Sequence, residues 1–256
     1  MKRWLVWIVV LLILCAAALA TAFWRPLVME LASSKLVTEL VFYLKEKVVK
    51  NETNNIENEV MRIEFSGHLY DIPLRYAYGE AFEKRGYWPK VKPERVKVKG
   101  ISLSALLPDM EAYSSENAEQ WKVRGHGDRV EVYYAYAPKL DWFQRYRDSY
   151  LNGEENRYYK RMESQHGLIH FANRSGHTIY FPFNDKVELY ISCNKKDNAT
   201  VFPSCRVVSN HKYGTTLRYY YGLEKLSDWQ NIDLKIKSLI DRFEQPLSSK
   251  QTAQEG

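Results

Sequence analysis

The chain has 256 residues, of which 45% are hydrophobic, 14% aromatic and 27% charged, with a formal net charge of +6. Three of its bases, Lys2, Arg3 and Arg25, precede the first acid, so the rest carries 34 basic and 31 acidic residues. That net charge of +3 argues against nucleic acid as the main partner. The chain is long enough to bury a substantial core.

The first predicted element is a transmembrane helix. Residues 4–24 begin with Trp4, end with Trp24 and contain no charge over 21 positions. As a helix they would reach roughly 30 Å, the thickness of the hydrocarbon core of a bilayer. Because only Lys2 and Arg3 precede this run, the positive-inside rule keeps the N-terminus in the cytoplasm and exports the remainder. Residues 1–25 are therefore predicted to be a signal-anchor that contacts the lipid bilayer.

A cleaved signal peptide is the alternative interpretation of the same run. The small-x-small sites that end at Ala20 and Ala22 suit a signal peptidase. The apolar run is longer than the usual ~7–15-residue core of a signal peptide, however. Tryptophans near both of its ends are typical of membrane interfaces. The retained anchor is therefore preferred, and both interpretations export the rest of the chain.

Residues 26–55 are predicted to form a helical stalk and a linker. Their apolar residues recur with a helix-like though imperfect period, and the polar run 51–55 marks the boundary of the next domain. Residues 56–246 are predicted to be the exported β-rich domain, and the polar residues 247–256 a disordered tail.

The pattern changes to strands within the exported domain. β-branched and aromatic residues dominate several short runs, which are residues 61–65, 129–136, 177–183, 186–193 and 215–222. Because most of these runs have no helical crossover between them, they predict an antiparallel sheet. Residues 84–99 are predicted to be a solvated loop that leads into an edge strand protected by lysines. Residues 139–161 are predicted to be a helical excursion broken at Asn152 and Gly153.

The last predicted element is an amphipathic helix. Ser227 is the expected N-cap, and the helix is expected to end near Pro246. Its apolar stripe needs a partner, and the sheet is the available one. The stripe consists of Trp229, Ile232, Ile236, Leu239, Ile240 and Phe243. The predicted fold class is thus α+β, with a transmembrane helix, a stalk helix and a mainly antiparallel sheet on which the C-terminal helix packs.

Two cysteines lie outside the predicted anchor. In an oxidising compartment the local pair Cys193 and Cys205 predicts one disulfide across a hairpin or loop. Two free buried thiols are the alternative. A metal site is not expected, because neither cysteine has ligand-like spacing to another cysteine or histidine.

The sequence contains no motif that marks an active site. It has no GxSxG, GxxxxGK[ST] or GxGxxG pattern. His166 and His170 lie four residues apart in a stretch that reads as strand and turn, where they would be about 13 Å apart. The sequence therefore predicts no catalytic residue, no cofactor and no metal.

Aromatic residues are the remaining compositional feature, with 19 tyrosines in the chain. Neighbouring residues of a strand point to opposite faces, so each tyrosine cluster should place some rings in the core and others in solvent. Exposed tyrosines suit protein recognition, although they also cover sheets without binding anything. The candidate partner-binding residues are Tyr133, Tyr134, Tyr219, Tyr220 and Tyr221.

The layout resembles that of small, uncharacterised, membrane-anchored periplasmic proteins of Gram-negative bacteria. The shared features are the single anchor, the β-rich exported domain with its local disulfide, and the terminal helix that starts with Leu226, Trp229 and Ile232. Some of these proteins are similar to immunity proteins of type VI secretion. The resemblance implies an inner-membrane, single-pass location with the C-terminal domain in the periplasm, and it carries over no functional residue.

Two hypotheses for the function follow from the sequence. The first is a non-catalytic, inner-membrane-anchored periplasmic binding protein, and its most specific version is an immunity protein that neutralises a periplasm-acting toxin by binding it. The alternative is an envelope enzyme or assembly factor that acts on peptidoglycan or lipid.

Overall fold

The computed structural model describes residues 58–77, 91–137, 141–153, 157–194 and 201–246. All of them belong to one unit, residues 55–256. The predicted anchor and stalk at 1–55 and the predicted tail at 247–256 lie outside the described residues. Within the described ranges the longest helix has 15 residues, and none is long and apolar enough to cross a bilayer.

Strands dominate the described part of the chain. In chain order they are β1 (Val60–Phe65), β2 (His68–Pro73), β3 (Val96–Lys97), β4 (Gly100–Leu106), β5 (Arg129–Tyr136), β6 (Tyr159–Gln165), β7 (Leu168–Asn173), β8 (Thr178–Pro182), β9 (Leu189–Cys193), β10 (Ser204–Asn210), β11 (Thr215–Gly222) and β12 (Glu244–Gln245). The helices are α1 (Ala118–Trp121), α2 (Trp142–Leu151) and α3 (Trp229–Phe243). Two 3-10 turns, Leu74–Ala77 and Leu223–Asp228, connect neighbouring elements.

The larger sheet has the order β4-β5-β11-β10-β9-β8-β7-β6. Each neighbouring pair in it is antiparallel, as the short connections predict. A smaller sheet has the order β12-β2-β1-β3, and its β1 and β3 are parallel. The predicted lysine-bearing edge strand is β3, which lies at one end of the smaller sheet. The start of that predicted segment, residues 84–90, lies outside the described ranges.

The C-terminal helix α3 packs on the larger sheet, which confirms that part of the predicted fold. All six apolar residues of its stripe are buried in the main core, together with inward residues of β4, β5, β9, β10 and β11. The predicted N-cap is wrong. Ser227 lies in the preceding 3-10 turn, and Asp228 occupies the cap position without a side-chain cap bond. The chain leaves the helix after Phe243 because the next two residues pair with β2 as β12.

A second apolar cluster lies on the opposite side of the larger sheet. Phe143 and Tyr150 of α2 pack against residues of β7 and β8, including Phe171 and Phe181. The predicted helical excursion therefore covers the sheet, but it ends at Leu151. From Tyr159 onward the chain is strand β6 rather than helix. Pairing with β7 supplies hydrogen bonds that the local composition does not reveal.

Candidate protein-binding surface

The disulfide joins two adjacent strands. Cys193 of β9 and Cys205 of β10 are directly opposed, and their sulfur atoms are 2.06 Å apart. Both side chains are buried in the main core. The predicted pairing is confirmed.

The five candidate tyrosines divide between the two faces of the larger sheet, as strand alternation requires. Tyr134, Tyr219 and Tyr221 point into the main core and are at most 1% exposed. They are therefore unavailable to a partner. Tyr133 is 44% exposed and Tyr220 is half-buried, and both point to the other side. Only these two remain candidates for recognition.

Strand register places Tyr133 and Tyr220 on one continuous surface. Tyr133 lies directly opposite Ser102 of β4 and Arg218 of β11, and Tyr220 lies opposite Glu131 of β5. Residues at such diagonal positions are ~7–8 Å apart. We call the surface formed by these five residues the outer face. It presents two aromatic rings, one guanidinium and one carboxylate.

The ring of Tyr133 lies along β4 because position 100 has no side chain. A Cβ atom at Gly100 would come within 2.8 Å of the Tyr133 hydroxyl oxygen and 3.0 Å of its Cζ. The glycine thus allows the ring to approach β4 closely. A tyrosine held in this way loses little conformational entropy on binding.

An exposed apolar loop borders the Tyr220 end of the outer face. The ring of His126 is parallel to that of Tyr220, with 6.5 Å between their centroids. Burial lowers the pKa of His126, so the imidazole is neutral at pH 7. Its neighbour Gly125 has φ +78° and lies against the ring of Phe202, which is 52% exposed. Aromatic surface therefore continues from the strands into two loops.

The buried tyrosines belong to a polar network inside the core. The Tyr219 hydroxyl donates a hydrogen bond to Asp233 Oδ1 at 2.9 Å, and Lys237 Nζ lies 2.7 Å from Asp233 Oδ2. Burial and the nearby Asp233 carboxylate raise the pKa of Tyr219 well above its ordinary value. The network fixes α3 against β11, which is a structural role.

A serine and a histidine that were not predicted as a pair are within hydrogen-bonding distance of each other. The His177 Nε2 atom lies 2.7 Å from Ser192 Oγ, and His177 Nδ1 lies 2.8 Å from the Tyr159 hydroxyl. Burial, with Arg206 nearby, lowers the pKa of His177. The third member is a neutral phenol rather than a carboxylate, so it gives little support to an imidazolium during proton transfer. Ser192 is also only 8% exposed.

The two histidines considered as metal ligands make separate structural contacts. His166 occupies the β6–β7 turn with φ 53°, where its carbonyl accepts a hydrogen bond from Trp229 Nε1. The ring of His170 bonds instead to the carbonyl of Glu163. In the described ranges, no three His, Cys, Asp or Glu side chains are grouped so that they could hold a metal ion.

No protein-family model matches the chain, and no curated protein matches it significantly. Two solved structures are similar to it. One is an immunity protein of the Stenotrophomonas maltophilia type IV secretion system, with a TM-score of 0.52 and 12% identity, covering 73% of this chain and 94% of that one. The other is the iron-regulated outer membrane lipoprotein FrpD of Neisseria meningitidis, with a TM-score of 0.47 and 14% identity, covering 73% and 93%.

At 12% identity, the first of these likenesses shows a shared fold. The protein in question serves a type IV system, so the comparison gives no support to the predicted link with type VI secretion.

Proposed function

We propose that this chain is a non-catalytic binding protein of the periplasmic face of the inner membrane, and specifically an immunity protein that neutralises a periplasm-acting toxin by binding it. The observation that carries the proposal is the outer face, where Tyr133 and Tyr220 lie on a rigid sheet beside Arg218. Tyrosine and arginine are enriched among the residues that supply most of the energy of protein interfaces. The fold shared with a secretion-system immunity protein is consistent with this role.

The outer face suits a protein partner better than a small substrate. It is built on strands whose opposite side is packed in the main core, so its side chains are held in place before binding. Rigid aromatic anchors lower the entropic cost of association. Arg218 offers a positive charge, which helps to orient a partner that carries a carboxylate, whereas Glu131 is already paired with Arg129 at 3.3 Å.

Location at the inner membrane is part of the proposal and rests on residues 1–25. A reporter that requires the periplasm for activity should be active when it is fused after Gly256. The protein should also fractionate with the inner membrane. Activity of a cytoplasm-only reporter at the same fusion point would contradict the proposed topology. Recovery of a mature chain that starts near Thr21 or Phe23 would favour the cleaved signal peptide instead.

Alanine substitutions on the outer face test the binding role. Tyr133→Ala and Tyr220→Ala should each weaken binding of the toxin by about 2 kcal/mol, roughly 30-fold in Kd, because anchors of this kind dominate interfaces. Phe183→Ala is the matched control, since Phe183 is an exposed aromatic residue of the β8–β9 connection, with 55% exposure. Equal loss of affinity in the control and the outer-face variants would contradict the assignment.

One observation favours the enzymatic alternative, namely the contact between Ser192 and His177. We propose that the pair is structural, because Ser192 is nearly buried and the histidine hydrogen-bonds to no carboxylate among the described residues. Ser192→Ala should therefore leave toxin neutralisation unchanged and alter only the free energy of unfolding. Loss of function in a Ser192→Ala protein that folds normally would shift the case to an envelope hydrolase.

A further inference from the structure

Strand β6 forms an exposed edge of the larger sheet in the described part of the chain. Strand β6 is the last strand of the order, and six of its seven residues, Lys160 to Gln165, are exposed. At the opposite edge most side chains of β4 are buried, and Leu106 bridges to Glu111. Unpaired strand edges offer backbone N–H and C=O groups to another extended chain.

A basic cleft of about 750 Å³ lies beside this edge. Its lining includes three bases, Arg157, Lys160 and Arg174, and the exposed apolar side chains of Tyr158 and Met162. The described residues that line the cleft include no carboxylate. Each of the three bases is exposed, and none forms an ion pair with another described residue. Their charges are therefore available to a partner.

The cleft continues across the sheet. A second cavity, of about 360 Å³, shares Ala172, Asn173 and Arg174 with the first and extends to Thr178 and Tyr180 of β8. On its floor the ring of His170 stacks on Tyr180, with 4.9 Å between the centroids. The result is an open groove that begins at the edge strand and crosses β7 to β8, rather than an enclosed pocket.

Register places this groove on the opposite side of the sheet from the outer face. Lys160 is paired with Ala172, Ala172 with Thr178, and Thr178 with Cys193, whose side chain lies in the main core beneath α3. Residues paired in this way share one face. The groove is therefore a separate surface, and it does not depend on the proposed immunity function.

We propose that the groove beside β6 binds an acidic, extended segment of another protein, which adds to the free edge of β6 as an extra strand. The edge supplies backbone hydrogen bonds, Lys160, Arg157 and Arg174 attract carboxylates, and Met162 and Tyr158 contact apolar side chains of the same segment. The stretch from residue 157 to 162 spans roughly 20 Å at ~3.3 Å per residue, which fits a segment of about six residues.

Two other occupants fit less well. A second copy of the chain would offer the same basic cleft, whose described lining residues include no carboxylate to complement the three bases. A phosphate surface would use the bases but would leave the strand edge and the apolar side chains without partners. An acidic strand uses all three features.

Peptide binding to the full-length chain in detergent tests the proposal. The probe is a fluorescent peptide of about nine residues in which Asp and Glu alternate with Val, with fluorescence anisotropy at low ionic strength as the measurement. Lys160→Glu with Arg174→Glu should weaken binding at least about tenfold, because two attractive contacts become repulsive. Lys99→Glu with Lys186→Glu, which reverses two exposed charges elsewhere, is the control and should change Kd little.

Two further measurements separate strand addition from simple charge attraction. A peptide with the same charge and two valines replaced by proline should lose binding, because proline has no N–H to donate. Amide exchange at residues 159–162 should slow when the parent peptide is bound. The proposal is overturned if the parent peptide does not bind, or if both peptides bind equally. Charge-dependent binding of anionic phospholipid vesicles without binding of the peptide overturns it too, and assigns the groove to lipid.

Discussion

Removal of the Cys193–Cys205 disulfide should lower the stability of the protein without abolishing its fold. The two cysteines close a loop with a sequence separation of 12 between neighbouring strands. In the chain-entropy model a loop of that length stabilises the folded state by about 3 kcal/mol, because it restricts the unfolded chain. The domain also has a large core, with four residues of α3 exposed by no more than 1%. We therefore expect the double variant Cys193→Ala with Cys205→Ala to stay folded.

Two preparations separate the contribution of the crosslink from that of the buried sulfur atoms to the expected loss of stability. Reduced wild-type protein keeps both buried sulfur atoms, so it should lose only the loop contribution of about 3 kcal/mol. The double alanine variant loses the two buried sulfur atoms as well, so its loss should be larger by about 1 kcal/mol or more. Chemical denaturation monitored by tryptophan fluorescence measures both values, with oxidised wild type as the reference.

The reasoning would be refuted by either of two results. A loss below about 1 kcal/mol on reduction would show that the hairpin keeps its two strands together in the unfolded chain. An unfolded reduced protein would show that the core cannot hold the sheet without the crosslink.

Two further predictions concern the core and three half-buried histidines. Ile236→Ala, at a fully buried position of α3, should lower the free energy of unfolding by about 2–5 kcal/mol, whereas Leu234→Ala, 67% exposed on the same helix, should change it by less than about 0.5 kcal/mol. Equal effects in thermal or denaturant unfolding would contradict the placement of the helix. Burial lowers the pKa of each of three histidines below the ordinary value of 6.5. The unfolded chain therefore binds protons more tightly than the folded one at these residues. As a result, the free energy of unfolding should fall as the pH drops below 6.5 towards the folded pKa values. The three histidines are His126, His177 and His211. A denaturation midpoint that rises when the pH is lowered from 7.5 to 5 would contradict this predicted loss of stability.

Several elements could be predicted from the sequence because their local signals are strong. Alternating β-branched and aromatic residues predicted Arg129–Tyr136 and Thr215–Gly222 with the bounds that the structure gives. The apolar stripe that starts at Trp229 predicted α3, since its spacing admits only one buried face. The local spacing of two cysteines predicted the disulfide.

Other elements depend on partners that are distant in the chain. Strand β4, Gly100–Leu106, is not among the predicted strands, because its sequence alternates apolar residues with serines that have no strong strand preference. Its pairing with β5 makes it a strand, and a serine such as Ser104 is buried there by that pairing. Strand β6 is similar, because exposed charged residues form it only through its pairing with β7. Tertiary pairing overrides weak local propensity in both cases.

The candidate surfaces were partly predictable for the same reason. Alternation showed that each tyrosine cluster would divide between two faces, but only the packing of α3 decides which face is the core. That packing buries Tyr134, Tyr219 and Tyr221 and leaves Tyr133 and Tyr220 for recognition. The basic groove gave no local signal, because its residues come from β6, β7 and the connections beside them.

Neutralisation of a periplasmic toxin tests the central claim most directly. The product of each gene adjacent to this one is exported to the periplasm of a susceptible cell, alone and together with the full-length chain, and cell survival is counted. The proposal predicts that one neighbour kills cells alone, that the chain restores survival, and that the double variant Tyr133→Ala with Tyr220→Ala fails to restore it although Phe183→Ala succeeds. Neighbours without toxicity, or full protection by the double tyrosine variant, would contradict the account.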